Sequence, residues 1–444
     1  MSAGAAMAGE RFWSDSEGWS RDRLRALQLE KLREQVARLA AGEGFYARRF
    51  REAGFDPDSL RGLEDLARLP VTRKQDYVAS VLGKPPFGEF MAVHQDAVRR
   101  IHFSSGTTAK PTPQFWTQPD LDRWADLYAR YAWSEGVRPG DIFQCLFGYT
   151  WFVGGLGATA GLQKLGATCI PAGNQDTERQ IATLLDYGST VLFGTPSFIV
   201  HLGNEMIRRG LDPKASRVRV IAVGGEPGAS VPATRRRIET MWGARCFDAY
   251  GCLEFQPIAA ECSAQDGLHL MEDFVYAEVV DPDSGTAVAD GQPGVLVVSH
   301  LDKQAGPLLR WWTGDIVLRD SRPCACGRTH ARLIGGVRGR ADDMLVVRGV
   351  NVFPSAVEDV VRAIPGLSDE YRIVLDDSTR DAQTGLLNGI RLQVESADIG
   401  QAADIKDRTE AAIKARLQIR ARVEVLPLGT LEPSTHKSKR VIRL

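Results

Sequence analysis

A run of small hydroxylated residues followed by a lysine lies in the stretch FSSGTTAKPTPQFW, from Phe103 to Trp116. Such a run makes a poor helix and a poor core strand, but a good loop. Its backbone N–H groups and hydroxyls can converge on an anion, with Lys110 nearby. The spacing differs from the G-x-x-x-x-G-K-[ST] loop of P-loop NTPases. The stretch alone therefore predicts either a phosphate-binding loop or an ordinary surface turn.

Other segments place single acids, aromatic residues or a lysine beside glycine turns or in loops: VGGEPG (223–228), DAYGCLEF (248–255), RWWTGDIV (310–317), GRADDMLVVRGVNVFPSAVEDVV (339–361) and EPSTHKSKRV (432–441). A tyrosine face can stack on a purine, and a glutamate can hold the Mg²⁺ that neutralises a triphosphate. An aspartate can accept hydrogen bonds from ribose hydroxyls. A lysine can stabilise the charge between a carboxylate and an α-phosphate. Each segment alone is more often structural, so the function depends on their occurrence together.

Three cysteines and a histidine form two pairs, Cys262 with His269 and Cys324 with Cys326. Cys₃His is a closed tetrahedral ligand set that binds structural zinc. Both pairs lie in polar, loop-like segments, where a free thiol adds little packing. The alternative is a tight turn at PCACGRTH with Cys262 as a small buried apolar residue, and His330 is a rival ligand.

Length and composition indicate a globular protein of two or three domains, with 444 residues, 43% hydrophobic and 25% charged. A net charge of −1 gives no general attraction to nucleic acid or to an anionic membrane. The N-terminus lacks the pattern of a signal peptide, so we expect a cytoplasmic protein whose cysteines are thiols or metal ligands. The uncharged stretch 142–163 is predicted to form a strand, a glycine turn and a buried helix rather than a membrane span.

The pattern of elements predicts an α/β fold. Residues 19–53 and 123–136 are helix-like, and apolar strands then alternate with helices, which indicates parallel βαβ units. From about residue 268 the pattern predicts antiparallel strands joined by turns. We expect an N-terminal domain over 1–338, followed by a small mobile α+β lid over 339–444 with helices at 357–363 and 405–417.

In this order and spacing the motifs resemble the adenylate-forming enzymes, most closely the phenylacetate–CoA ligase branch. The resemblance extends from about residue 13 to 444 and depends most on SSGTTAKPT, GRADDMLVVRGVNVFPSAVE and CACGRTH. It implies that an acid is activated with ATP and Mg²⁺, that pyrophosphate is released, and that the acyl group passes to the thiol of coenzyme A while the lid rotates. The branch also carries a matching cysteine pair, which favours a structural Zn²⁺.

The resemblance also implies roles for individual residues. The phosphate-binding loop comprises Ser104, Ser105, Gly106, Thr107, Thr108 and Lys110. The adenine side and its neighbouring nucleotide contacts comprise Gly225, Glu226, Pro227, Asp248, Tyr250 and Gly251. The remaining nucleotide and catalytic roles fall to the Mg²⁺ ligand Glu254, the ribose contacts Asp315 and Arg340, and the catalytic Lys437. The lid contributes the hinge Asp342 and a loop at the thiol tunnel with Arg348 and Gly349.

An acyl pocket with Tyr149, Trp151 and Phe152 predicts an aromatic acid as substrate. The sequence departs from the family at Leu253, where a hydroxylated residue usually precedes the Mg²⁺ ligand, and more mildly at Ala109 and His436. Transfer to a carrier-protein thiol, an amine or another small nucleophile is therefore an alternative to transfer to coenzyme A. A nucleotide-binding homologue without catalysis is a second alternative. Homodimers are common in the branch, so a homodimer is a further expectation.

Overall fold

A computed structural model describes residues 11–104, 112–151, 153–173, 175–341, 343, 345–348, 350–381, 387–432 and 440–444. The chain divides into two compact units. The larger unit comprises Met1–Ser230, Ile238–Thr313 and Val317–Gly336, and the smaller unit comprises Val231–Arg237, Gly314–Ile316 and Val337–Leu444. The division into functional domains after residue 338 stays a prediction.

The α-helices of the described residues are, in chain order, α1 (Arg21–Ala40), α2 (Phe45–Glu52), α3 (Lys74–Gly83), α4 (Gln118–Ser134), α5 (Gly154–Leu165), α6 (Thr177–Tyr187), α7 (Pro196–Arg208), α8 (Pro232–Trp242), α9 (Pro354–Arg362) and α10 (Ala402–Leu417). Helix α4 begins five residues before the predicted start. The reason is a capping box, in which Thr117 N donates to Asp120 Oδ2 and Asp120 N donates to Thr117 Oγ1. None of the described helices is long and apolar enough to cross a membrane.

The β-strands up to residue 333 are β1 (Arg100–Phe103), β2 (Pro113–Trp116), β3 (Ile142–Cys145), β4 (Thr168–Ile170), β5 (Val191–Gly194), β6 (Val220–Val223), β7 (Arg245–Tyr250), β8 (Ala259–Ala260), β9 (Leu268–Leu270), β10 (Val275–Val280), β11 (Pro293–His300), β12 (Trp311–Asp320) and β13 (Arg332–Leu333). The later strands are β14 (Gly339–Arg340), β15 (Leu345–Val347), β16 (Val350–Val352), β17 (Leu367–Leu375), β18 (Ile390–Ser396), β19 (Ala421–Pro427) and β20 (Val441–Arg443).

One half of the large sheet is parallel, in the order β7-β6-β5-β3-β4. Helices α5 to α8 connect successive strands of this half, which confirms the predicted βαβ units. The carboxyl ends of parallel strands meet at one edge, where sites of such sheets form. The stretch 142–163 forms β3 and part of α5, as expected.

The sheet continues as antiparallel strands in the order β8-β9-β13-β12-β11-β10. This confirms the predicted change from parallel to antiparallel strands near residue 268. A separate antiparallel hairpin pairs β1 with β2, from Arg100 opposite Trp116 to Phe103 opposite Pro113. In the sequence, the predicted phosphate loop connects these two strands.

The smaller unit has its own sheet in the order β19-β18-β17-β20, and a hairpin of β15 and β16. Its apolar core includes Val357 and Val361 of α9, Tyr371 of β17 and Ile413 of α10. Both helices begin three residues earlier than predicted. For α9 the cause is Pro354, because proline favours the first turn of a helix. The α+β character of this segment is confirmed.

Candidate active site and metal centre

Ser104 and Thr112 close the base of the predicted phosphate loop. Ser104 N donates to Thr112 O (3.1 Å), and Thr112 N donates to Ser104 Oγ (3.1 Å). Their hydroxyl oxygens lie 3.0 Å apart. These contacts hold the two ends of the loop together, and we call the pair of Ser104 and Thr112 the neck of the loop. The other predicted residues of this loop lie outside the described residues: Ser105, Gly106, Thr107, Thr108 and Lys110.

Glu254, the predicted Mg²⁺ ligand, is buried and forms an ion pair at this neck. Lys74, the first residue of α3, donates from Nζ to Glu254 Oε1 (2.5 Å) and to Thr112 Oγ1 (3.0 Å). Burial raises the pKa of Glu254, but the attraction and hydrogen bond of Lys74 outweigh it, so this pKa lies below its ordinary value. The carboxylate is thus ionised at neutral pH, as a metal ligand has to be.

Lys74 is the site residue that sequence reasoning missed. It lies in VTRKQDY, where a single lysine has no glycine turn or acid motif around it. Helix α3 is fixed against β2, because Tyr77 OH donates to Pro113 O (2.6 Å). The position of this lysine in the first turn of α3 is a finding of the structure and was not predicted from the sequence.

A cavity of about 240 Å³ lies beside Glu254 and is lined also by Trp116, Trp124, His300 and Lys303. Burial lowers the pKa of Lys303 from 10.5 to about 8, although neighbouring carboxylates including Glu254 act in the opposite direction. Burial likewise holds the pKa of His300 well below its usual range, so this ring is neutral. The cavity therefore has one buried cation near the ionised carboxylate.

Lys303 is expected to make stability rise with pH between about 8 and 10.5. The unfolded chain keeps this proton up to about pH 10.5 and the folded chain releases it near pH 8, so unfolding takes up a proton in that window. The cost of the buried ammonium, on the order of 3 kcal/mol, is present below pH 8 and disappears at high pH. Thermal unfolding of wild type and Lys303→Met from pH 7 to 10 tests this. The stability advantage of the variant should shrink as pH rises, whereas a constant difference would contradict the prediction.

The adenine-side residues meet where β6 and β7 end side by side, with Val223 opposite Asp248. Asp248 Oδ2 accepts a hydrogen bond from Ser230 N (2.9 Å), which holds the turn after β6. This turn needs Gly225, because its φ of 82° is in the left-handed region. The structure thus places Gly225, Glu226 and Pro227 in the turn after β6, next to β7, which contains Asp248 and Tyr250 and ends just before Gly251.

Glu226 is engaged within the structure. Its carboxylate accepts hydrogen bonds from Ser197 N (3.3 Å) and Ser197 Oγ (3.0 Å) in the first turn of α7. Negative charge at a helix N-terminus is favourable, so Glu226 ties the turn to α7.

The predicted acyl-pocket residues differ in their surroundings. Tyr149 is partly buried, and its hydroxyl lies 2.6 Å from Thr159 Oγ1. Trp151 is 59% exposed, with its ring 5.3 Å from that of Phe103. Phe152 lies outside the described residues. Phe147 packs edge-on against Phe193 at 4.6 Å.

Phe147 also reaches the adenine-side turn. A Cβ atom on Gly225 would lie 3.8 Å from the Phe147 ring, which is van der Waals contact. Phe147 and Phe193 therefore form an aromatic wall beside this turn.

In the smaller unit, the two predicted ribose contacts pair with each other. Asp315 lies opposite Arg340 in the β12–β14 pair, and Arg340 Nη1 donates to Asp315 Oδ1 (3.1 Å). Arg348 is exposed, has a left-handed φ of 51°, and lies in the turn between β15 and β16. The other predicted residues of this part lie outside the described residues: Asp342, Gly349 and Lys437.

The two cysteine and histidine pairs form one group. The ligand atoms of Cys262, His269, Cys324 and Cys326 all lie within 4.8 Å of one another. Cys262 Sγ is 3.8 Å from Cys324 Sγ, and Cys326 Sγ is 3.6 Å from His269 Nε2. A zinc tetrahedron with ordinary bond lengths has S–S edges of about 3.8 Å and S–N edges of about 3.6 Å. The spacing therefore fits a tetrahedral metal.

Hydrogen bonds around this group suit metal ligands. His269 Nδ1 lies 3.2 Å from His330 O, which leaves Nε2 directed at the thiols. Ala264 N donates to Cys262 Sγ (3.4 Å), and Arg328 N donates to Cys326 Sγ (3.5 Å). Such bonds favour the thiolate form.

The rival ligand His330 faces elsewhere. Its Nδ1 lies 2.9 Å from Leu270 O and its Nε2 lies 3.1 Å from Ser16 O. Both ring nitrogens are therefore occupied by backbone carbonyls, and His330 is outside the four-residue group.

The cysteine loop also holds the N-terminal segment of the described chain. Arg328 Nε donates to Glu17 Oε2 (2.5 Å), and Thr329 N donates to Glu17 O (2.9 Å). Arg11 Nε donates to Cys326 O (3.1 Å). A metal in this loop would thus stabilise more than the loop itself.

The profile of the AMP-binding enzymes matches residues 56–301, and that of the AMP-binding enzyme C-terminal domain matches residues 349–444. The chain belongs to the AMP-binding enzymes. The phenylacetate-coenzyme A ligase of Thermus thermophilus is 38% identical over 96% of this chain and 97% of its own length. That of Escherichia coli K12 is 35% identical over 95% of each chain.

A solved structure of 2-hydroxyisobutyryl-CoA ligase, in the postadenylation state with R3-HIB-AMP, has a TM-score of 0.90 and 30% identity. The match covers 98% of this AMP-binding enzyme and 92% of that chain. These relatives confirm the phenylacetate–CoA ligase-like branch and the α/β fold class. They also confirm an AMP-forming ligase that activates an acid with ATP and passes it to coenzyme A.

Proposed function

We propose that this enzyme joins an aromatic acid of the arylacetate type to coenzyme A. A carboxylate oxygen of the acid attacks the α-phosphorus of ATP, and the bond to pyrophosphate breaks to give an acyl-adenylate. The thiol sulfur of coenzyme A then attacks the acyl carbon, its proton is released, and AMP leaves. The observation that carries the proposal is the contact of Lys74 with both Glu254 and Thr112, at the neck of the phosphate loop.

In this proposal, Glu254 would hold Mg²⁺, which when bound would neutralise charge on the triphosphate. Lys74 keeps the Glu254 carboxylate ionised and fixed beside the loop. The ammonium of Lys74 would also attract the β- and γ-phosphates of bound ATP. Preorganised charge of this kind costs no rearrangement during the reaction.

The other nucleotide contacts follow from family membership. The turn 225–227 and Asp248, Tyr250 and Gly251 would border adenine, while Asp315 and Arg340 would contact ribose. Lys437 would stabilise the charge that develops on the α-phosphate, and the lid would turn about Asp342. Arg348 and Gly349 would then line the thiol tunnel.

The aromatic acid is supported by the side chains at the adenine-side turn. Phe147 and Phe193 present an apolar wall, and Tyr149 adds a ring with a polar edge held by Thr159. Flat rings pack well against such walls. The relatives with 35–38% identity are phenylacetate-coenzyme A ligases, which agrees with this preference.

We also propose a structural Zn²⁺ held by Cys262, His269, Cys324 and Cys326. The tetrahedral spacing of the ligand atoms supports it, together with the bond of His269 Nδ1 to a carbonyl. A closed set of four protein ligands leaves no position for a reactant, which is typical of structural zinc.

Leu253 keeps transfer to a carrier-protein thiol, or to an amine or other small nucleophile, open as an alternative acceptor reaction. Its side chain packs against the core of the larger unit and supplies no hydroxyl for the α-phosphate. The expected cost of one lost hydrogen bond to a charged group is about 1.5–3 kcal/mol. The homodimer and the cytoplasmic location also stay predictions.

Replacing Lys74 with methionine is expected to slow adenylation by about 10- to 100-fold, because the buried Glu254 carboxylate loses its partner and the loop loses a cation. Pyrophosphate release at varied Mg²⁺ and ATP measures this. Lys84→Met is the matched control, since Lys84 lies after the same helix and pairs with Glu89. Equal rates for the two variants would contradict the role of Lys74.

A panel of phenylacetates, benzoates, cinnamates and short aliphatic acids tests the proposed substrate class. We expect the highest kcat/KM for an aromatic acid, with a coenzyme A thioester of matching mass. A preference for aliphatic acids would overturn the aromatic assignment. Pyrophosphate release with no thioester would favour the alternative acceptors.

A further inference from the structure

Arg310 has a left-handed backbone although it is not a glycine. Its φ is 48°, it is 4% exposed, and it directly precedes β12. A long side chain rarely adopts this conformation, and it persists only where the surroundings hold it.

The side chain of Arg310 holds a neighbouring segment. Its Nη1 donates to the carbonyl oxygens of Ala67 (2.9 Å) and Leu69. Its Nε and Nη2 each lie 3.1 Å from the buried carboxylate of Glu278, which balances the charge. Arg310 N donates to Ser299 Oγ (2.8 Å). One buried guanidinium therefore fixes the end of the segment that precedes α3.

The main chain of Arg310 holds the same segment at a second point. Thr72 N donates to Arg310 O (2.8 Å), and Trp312 N donates to Thr72 O (2.9 Å). Thr72 Oγ1 also donates to Leu309 O (2.8 Å). Residues 67–72 are thus tied to residues 309–312 by both the side chain and the backbone of one strained residue.

Thr72 is two residues before Lys74, whose ammonium must meet Glu254 Oε1 and Thr112 Oγ1 together. Arg73, between them, places its guanidinium 4.3 Å from the centre of the Trp312 ring. The residues just before α3 are therefore fixed to the start of β12, and Lys74 follows them directly in the chain. A small shift of these residues would move the Lys74 ammonium away from one of its two partners.

We propose that Arg310 is a positioning residue for adenylation, acting through Lys74. The inference rests on the proposed role of Lys74 at Glu254. Among the described residues, Arg310 contacts neither Glu254 nor the ends of the phosphate loop. It fixes the position of the start of α3, where Lys74 lies. The left-handed backbone lets its carbonyl meet Thr72 while its side chain reaches Ala67 and Leu69.

The test is a double-mutant cycle with Arg310→Lys and Lys74→Met. Lysine keeps the positive charge beside Glu278. Its single ammonium group cannot contact the carboxylate and both carbonyl oxygens at once, as the planar guanidinium does. Arg310→Lys should slow pyrophosphate release by about tenfold. In the Lys74→Met background the same change should have an effect below about threefold, because the two residues act as one unit.

Two further measurements separate positioning from folding. Acyl transfer to coenzyme A from pre-made acyl-adenylate should stay nearly unchanged in Arg310→Lys. Arg130→Lys is the matched control, because Arg130 is an equally buried arginine paired with Asp273; it should lower the melting temperature without a selective loss of adenylation.

A milder variant covers the case in which Arg310→Lys does not fold. Thr72→Val keeps the side-chain shape and removes the hydrogen bond to Leu309 O, so we expect a smaller loss that again vanishes in the Lys74→Met background. Additive losses in both cycles would overturn the proposal, as would equal losses in the two half-reactions. If Lys74→Met alone leaves adenylation unchanged, the role of Lys74 fails first, and that single variant identifies the cause.

Discussion

Lys437→Ala is expected to abolish acyl-adenylate formation, with a loss of at least about 10²–10³-fold in pyrophosphate release. Lys437 follows the proline and hydroxylated residues of EPSTHKSKRV and is the proposed catalytic lysine. Its cation would stabilise the charge that grows between the acid and the α-phosphate. ATP binding, measured by equilibrium titration, should stay within a few-fold of wild type.

The second half-reaction gives the control for this variant. Transfer from pre-made acyl-adenylate to coenzyme A should largely survive in Lys437→Ala, because the proposed rotation of the lid would take this lysine out of the active site before that step. Lys439→Ala, two residues further along the chain, should retain both steps. An equal fall of both steps in Lys437→Ala would show that the assignment is wrong.

Removing the metal group is expected to have the largest effect on stability. Purified protein should contain about one zinc per chain, and the Cys324→Ser/Cys326→Ser variant should contain almost none. Its melting temperature should fall by several degrees or more, since each kcal/mol lost lowers the midpoint of a large domain by about 2–4 °C. The loop of these cysteines also holds Glu17 and Arg11, so the loss should extend to the N-terminal segment.

Metal analysis and thermal unfolding, each with and without a chelator, measure these effects. Cys169→Ser serves as the control, because Cys169 is a half-buried cysteine outside the group. Full zinc content in the double variant would refute the site. Chelation that leaves the melting temperature unchanged would refute its structural role.

Much of the fold followed from the sequence, because strand–helix alternation and the change to antiparallel strands are patterns of apolar residues and turns. The group of Cys262, His269, Cys324 and Cys326 followed from side-chain type, since few residues can hold zinc. Cysteine and histidine can therefore be recognised as candidate metal ligands from residue type alone. The start of α4 was placed too late, because the Thr117 cap precedes the apolar periodicity.

Lys74 and Arg310 could not be predicted in the same way. Lysine and arginine are common surface residues, and what distinguishes these two is a tertiary contact. Lys74 matters because α3 brings it to Glu254, and Arg310 matters because of a left-handed φ that no local pattern encodes. Long-range contacts of this kind depend on how distant segments pack.

The most direct test of the central claim follows an oxygen atom. The acid is labelled with ¹⁸O in its carboxylate and incubated with the enzyme, ATP, Mg²⁺ and coenzyme A, and the products are analysed by mass spectrometry. If a carboxylate oxygen attacks the α-phosphorus, one labelled oxygen must appear in AMP, together with unlabelled pyrophosphate and a coenzyme A thioester. Label in inorganic phosphate with formation of ADP, or AMP without label, would contradict activation through an acyl-adenylate.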